Sequence, residues 1–123
     1  MRVKSVNPED LKTIYLAGPM SGIPDLNFPL FARVAKELRD LGYKIVSPHE
    51  HAAPMEDPHG YAWALARDIL LVAGCDTIMF LPGWENSKGA NVEFVFGEAT
   101  GKNILTYNDF KSQRSRDSLQ KKA

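Results

Sequence analysis

Thr77-Ile78-Met79-Phe80-Leu81-Pro82-Gly83-Trp84-Glu85-Asn86-Ser87-Lys88-Gly89-Ala90-Asn91-Val92-Glu93 is the stretch that decides the fold. A short apolar run stops at Pro82-Gly83, a polar loop follows, and a helical pattern opens near Gly89 and ends at Gly101. Strand, loop and helix start in that order make a seat for an anion, because the first N–H groups of a helix lack internal partners and carry partial positive charge. Glu93 follows closely, with Gly89 and Gly97 four residues to either side on the same helical face. A glycine inside a helix costs roughly 1 kcal/mol relative to alanine, so Gly97 answers a need for packing or access. A carboxylate this close to a helix start is expected to stay ionised.

Working outward, the same alternation recurs. Thr13-Ile14-Tyr15-Leu16-Ala17 is a continuous β-prone run ended by Gly18-Pro19, which suits a strand buried on both faces of a parallel sheet. Gly18 to Pro24 is a loop. Phe28, Phe31, Val34, Ala35, Leu38 and Leu41 then recur at helical spacing, with Asn27 as N-cap, Pro29 in the first turn and Gly42 as the stop. Tyr43 to Ser47 reads as a second strand, Gly60 to Ala73 as a second helix, Thr77 to Leu81 as the third strand, Gly89 to Thr100 as the third helix and Asn103 to Tyr107 as the fourth strand. This order predicts an α/β, Rossmann-like or flavodoxin-like three-layer domain with a four-stranded parallel sheet, strand order 2-1-3-4. Residues 1–110 form the single domain in this reading, and 111–123 a polar, mobile tail. The third helix is apolar nearly all round, so it is expected to be buried or to meet another subunit.

Ligands of such sheets sit beyond the carboxyl ends of the strands. Those ends carry Gly18 to Gly22, Pro48 to His51 and Pro82 to Gly89, so three loops rich in glycine and proline converge on one cleft. Asp68 falls inside the apolar stripe of the second helix (Tyr61, Ala64, Leu65, Leu71, Val72), where a carboxylate is costly without a partner. Arg67, adjacent in sequence, points elsewhere on an ideal helix and is not the obvious partner. Asp68 is read as an acid facing the same cleft as Glu93. The loop from Pro48 to about His59 holds all three histidines, but without zinc-ligand spacing, and no metal is assigned.

Composition sets the outer limits. The chain has 123 residues, enough for one core. Fifteen basic and fifteen acidic residues cancel, so no overall field recruits nucleic acid or an anionic membrane. The single cysteine, Cys75, excludes an internal disulfide and fits a reducing, cytoplasmic setting. No apolar run approaches the roughly 20 residues of a bilayer span, and Met1 to Asp10 lacks the apolar core of an export signal. No nucleic-acid or membrane partner and no cofactor is expected.

Ile14-Tyr15-Leu16-Ala17-Gly18-Pro19-Met20, Arg67-Asp68-Ile69, Cys75-Asp76, Ser87-Lys88-Gly89-Ala90-Asn91-Val92-Glu93 and Gly101-Lys102, in this order, resemble the nucleoside 2-deoxyribosyltransferase-like superfamily. That superfamily includes nucleoside deoxyribosyltransferases and nucleoside 5′-monophosphate N-glycosidases, and the resemblance covers about residues 13 to 107. It implies a small Rossmann-like domain that assembles as a dimer or larger. It implies that Glu93 is the nucleophile that attacks the anomeric carbon, Asp68 a second acid at that centre and Tyr15 a neighbour of the nucleophile. Gly18, Pro19, Met20 and Gly22 match a loop that closes around the nucleotide, and Ser87 and Gly89 match the 5′-phosphate seat. His49 and Met20 are candidate base contacts. The first loop lacks the arginine that some phosphate-binding members carry, which counts against a monophosphate, whereas Ser87 counts for one. The expected function is cleavage of the N-glycosidic bond of a (deoxy)nucleoside 5′-monophosphate, with the base released to water or the sugar transferred to another base. The alternative is a nucleotide-binding or sensing module that kept the cleft without turnover. A further family, the phosphoribohydrolases similar to lysine decarboxylases, shares Pro82-Gly83 but not the next glycine, the threonine or the spacing to glutamate.

Overall fold

Ile14 and Leu16 face one side of the sheet and Tyr15 and Ala17 the other, and all four are at most 1% exposed. That two-sided burial explains why the first strand reads as an unbroken apolar run instead of an alternating one. In the computed structural model, which describes residues 10–51 and 60–121, the strands are β1 (Thr13–Ala17), β2 (Lys44–Val46), β3 (Thr77–Phe80) and β4 (Asn103–Thr106). They form a four-stranded sheet in the order β2-β1-β3-β4, parallel throughout, with Ile14 beside both Ile45 and Thr77 and with Thr77 beside Asn103. The helices are α1 (Phe28–Asp40), α2 (Gly60–Ala73), α3 (Lys88–Ala99) and α4 (Tyr107–Lys121). Fold class and strand order are those expected from the sequence.

Each face of the sheet has its own core. On one side Ile14, Leu16, Met79 and Leu105 meet Phe31, Val34 and Leu38 of α1 and Phe110 of α4. On the other, Tyr15, Ala17, Ile78, Phe80 and Ile104 meet Val72 of α2 and Ala90 and Phe94 of α3. An aromatic group of Phe80, Trp84 and Phe94, with Trp84 stacked on Phe94 at 5.7 Å, holds the β3–α3 connection against the sheet.

Several details differ from the sequence reading. Residues from Lys111 continue α4 as a helix to Lys121, where a polar tail is expected. Phe110 is buried and meets the ring of Tyr43 edge-on at 5.7 Å, while the Tyr107 hydroxyl and the Lys111 ammonium both reach Glu37 of α1. Asn27 precedes α1 as expected but does not cap it. It is left-handed (φ 62) and its side-chain amide donates instead to the Pro19 carbonyl at 2.9 Å. Of the two alternatives for α3, burial holds for one side only: Ala90, Glu93, Phe94 and Gly97 face inward, whereas Val92 and Val95 are 45% and 65% exposed, which leaves the subunit contact as the open alternative.

Candidate active site

Burial of Glu93 begins with the glycines around it. A Cβ on Gly97 would lie 2.5 Å from Cδ1 of Ile78, so this glycine lets α3 press onto β3. A Cβ on Gly89 would meet the Tyr61 hydroxyl at 3.4 Å and Leu65 Cδ1 at 3.8 Å, so that glycine keeps the approach between α2 and α3 narrow but passable. Gly97 therefore answers packing and Gly89 access. Ser87, extended at φ −98, caps α3 by accepting from the Ala90 N–H at 3.2 Å, and its carbonyl holds the Asn91 side chain at 2.7 Å.

Glu93 is 4% exposed, and its Oε2 accepts a hydrogen bond from the Tyr15 hydroxyl at 2.5 Å. Burial pushes its carboxyl up to about 8; the Tyr15 bond opposes that rise and the Asp68 charge adds to it. The expectation of a carboxylate kept ionised by the helix is thus overturned. Glu93 is the sixth residue of α3, beyond the first turn where the dipole acts, so desolvation wins. Burial, together with the neighbouring Glu93 charge, raises Tyr15 well above the ordinary phenol range and keeps it a proton donor. Asp68 is raised by burial and drawn down by Arg67 and His51. Its partner is Arg67 after all, at 3.4 Å between Nη2 and Oδ1, because the long guanidinium folds back along the helix.

These groups share a cavity of about 190 Å³ at the carboxyl ends of the strands. Tyr15, Asp68 and Glu93 line it, with Gly18, Met20 and Ser21 from the first loop, Pro48 from the second, and Ser87, Gly89 and Ala90 from the third. The three loops named from sequence therefore do converge. Pro19 and Gly22 belong to the first loop without lining the cavity: Pro19 accepts from Asn27, and Gly22 is a left-handed turn residue at φ 80. His49 stands back as well. Its ring packs on Phe28 and Phe31 at 5.8 and 6.3 Å, and its Nδ1 shares a 2.5 Å hydrogen bond with Ser47 Oγ. The next residue, Glu50, is gripped by both ends of the Arg39 guanidinium at 2.7 and 2.6 Å, which fixes the turn that carries Pro48. His59 lies outside the described residues.

Tyr61, Arg67, Phe28 and Pro48 line the cavity without having been singled out as site residues. Helix phase alone points Arg67 away from Asp68, but the side chain is long enough to reach it. A second, open groove of about 820 Å³ between α1 and α4 is lined by charged side chains, including the Lys36–Asp40 and Lys111–Glu37 pairs, and holds none of the site candidates. Among the described residues no group of three or more histidines, cysteines and carboxylates is placed to hold a metal, and no helix is long and apolar enough to cross a membrane.

A family profile described as a domain of unknown function, DUF4406, matches residues 12–106. No curated protein matches the sequence. Among solved structures, a 2-deoxyribosyltransferase from Bacillus psychrosaccharolyticus superposes with a TM-score of 0.61 at 19% identity, over 76% of this chain and 70% of that one. A 2-deoxyribosyltransferase from Leishmania mexicana gives 0.60 at 25% identity, over 78% of this chain. This chain spans only 63% of the Leishmania protein. The profile match over most of its length makes the chain a member of the DUF4406 family, and its fold is that of the nucleoside 2-deoxyribosyltransferase-like superfamily.

Proposed function

We propose that this protein cleaves the N-glycosidic bond of a (deoxy)nucleoside 5′-monophosphate, with Glu93 as nucleophile. The observation that carries the reading is the buried Tyr15–Glu93 hydrogen bond at 2.5 Å in a cavity that also holds Asp68 and Ser87. The likeness to deoxyribosyltransferases supports glycosyl transfer as the reaction type. In the first step a Glu93 carboxylate oxygen bonds to C1′, the C1′–N bond breaks, and its electron pair leaves with the base. Water, or a second base, then displaces Glu93 from C1′. The oxocarbenium-like state between these bonds gains from the negative charge of Asp68, whose side chain is only 17% exposed. Tyr15 fixes the direction of the attacking oxygen by donating to its neighbour on the same carboxylate.

Ser87 uses a lone pair to cap α3, which leaves its O–H proton free to donate to a phosphate at the helix start. That is the support for a monophosphate over a free nucleoside. A panel of ribo- and deoxynucleotides and their nucleosides, with chromatographic detection of free base, tests it. Monophosphates are expected to turn over faster; equal turnover of nucleosides would remove the phosphate seat, and binding without base release would favour a sensing module. We also infer a homo-oligomer, since Trp63 and Leu70 of α2 and Val92 and Val95 of α3 are large apolar side chains left exposed on neighbouring helices.

A further inference from the structure

Arg67 is the only lysine, arginine or histidine among the described residues that line the cavity. Its commitments are slight. One nitrogen, Nη2, reaches Asp68 at 3.4 Å, long for a charge-assisted bond, and Nε is buried with no partner among the described residues. The side chain keeps 33% of its surface exposed, so donors remain available to a ligand.

Its position on α2 says which part of a ligand it meets. Tyr61 and Leu65 stand 3.4 and 3.8 Å from the Cβ position of Gly89, so they mark the flank nearest Ser87 and the start of α3. Going round the helix from Leu65 at roughly 100° per residue, Asp68 comes roughly 60° away and Arg67 roughly 160° away in the same direction. The guanidinium itself comes back to within 3.4 Å of Asp68, so α2 presents the α3 flank on one side and the paired acid and guanidinium on the other. Pro48, just past the end of β2, lines the same cavity and brings that strand end to the same neighbourhood. A nucleotide carries phosphate, sugar and base in that order.

We propose that Arg67 is the specificity-determining contact for the leaving base, donating to an oxo group beside the glycosidic nitrogen and so selecting 2-oxopyrimidines. This rests on the nucleotide reading above. As the C1′–N bond breaks, its electron pair passes onto the base, the charge spreads to the oxo oxygen, and Arg67 holds that oxygen. Glu93 has by then bonded to C1′, and the base anion takes its proton from water after release. No oxidant or further reactant is required.

The test compares deoxyuridine monophosphate with its 5-fluoro analogue, whose base leaves more readily, on the unmodified protein, Arg67→Met and Arg67→Lys. 2-Deoxyribose 5-phosphate serves as the ligand without a base. Arg67→Met should lower kcat/KM for deoxyuridine monophosphate by roughly 10²-fold, the scale of one lost donor to a developing anion, and the loss should shrink for the fluoro analogue. Arg67→Lys should fall between. Calorimetry should show 2-deoxyribose 5-phosphate bound equally by all three, which also reports that the variants fold. Equal losses on both nucleotides, or weakened binding of 2-deoxyribose 5-phosphate, would overturn the assignment. If the unmodified protein releases no base, the reaction reading fails separately. The base contact then stands or falls on whether Arg67→Met removes the extra affinity of the nucleotide over the base-free ligand.

Discussion

Glu93 sits where two electrostatic effects compete, and their magnitudes decide its state. A helix dipole contributes well under 1 kcal/mol beyond the first turn, whereas removing a carboxylate from water costs several. Burial therefore wins, and with the folded value at about 8 most molecules carry a neutral Glu93 at pH 7. Two outcomes follow. A nucleophile must be ionised, so kcat/KM for base release should climb roughly tenfold per pH unit below 8 and level off above it. Stability should run the other way. The folded chain holds a proton that the unfolded chain has lost between the model value of 4.5 and about 8, so unfolding free energy should fall as pH rises across that window. Glu93→Gln should flatten this slope in urea titrations at several pH values; an unchanged slope would mean that Glu93 is not the group responsible. Asp68 was legible from its place in the apolar stripe of α2, and Tyr15 only through the family resemblance. The ionisation of Glu93 was not, because depth in a helix and in a core cannot be read from spacing. Arg67 was missed for a related reason, since helix phase locates a Cβ but not the end of a guanidinium.

At the level of elements, α3 shows how one helix can serve both core and cavity. Gly97 brings it against Ile78, and steps of four residues, about one turn each, then set Glu93 under Tyr15 and Gly89 beside the cavity. Gly97→Ala places a methyl 2.5 Å from Ile78 Cδ1, and Ile78 is fully buried with Ile104 Cδ1 also within 3.5 Å. The clash should cost about 1–3 kcal/mol, against about 1 kcal/mol gained in helix propensity. A net loss of up to about 2 kcal/mol in chemical unfolding is expected. A stabilised variant would mean that α3 does not depend on this close approach. The strands and the first three helices were readable because apolar runs and periodic stripes survive in the sequence. α4 was not, since the anchors among its described side chains are Tyr107, Phe110 and Lys111 in a sequence that is otherwise polar.

For the whole molecule, the parallel sheet with a core on each face follows from apolar strands buried on both sides, and it delivers three loop ends to one cavity. What one chain leaves uncovered is the outer surface of α2 and α3, where Leu70 is 74% exposed and Val95 65%. A second copy covering that surface should give light scattering at micromolar concentration above the mass of one chain, and Leu70→Lys with Val95→Glu should return it to the monomer. A monomer in the unmodified protein would contradict the inference. The central claim is narrower: a covalent route through Glu93. It is tested most directly by base release from a nucleoside monophosphate in Glu93→Ala, Glu93→Gln and Asp68→Asn, with nucleotide binding followed by calorimetry. Loss of the covalent route should lower turnover in both Glu93 variants beyond the roughly 10²–10⁴-fold typical of lost acid–base help, with nucleotide still bound. Asp68→Asn should be milder, because an amide keeps the shape and part of the hydrogen bonding. Near-normal turnover in Glu93→Ala would contradict the assignment outright.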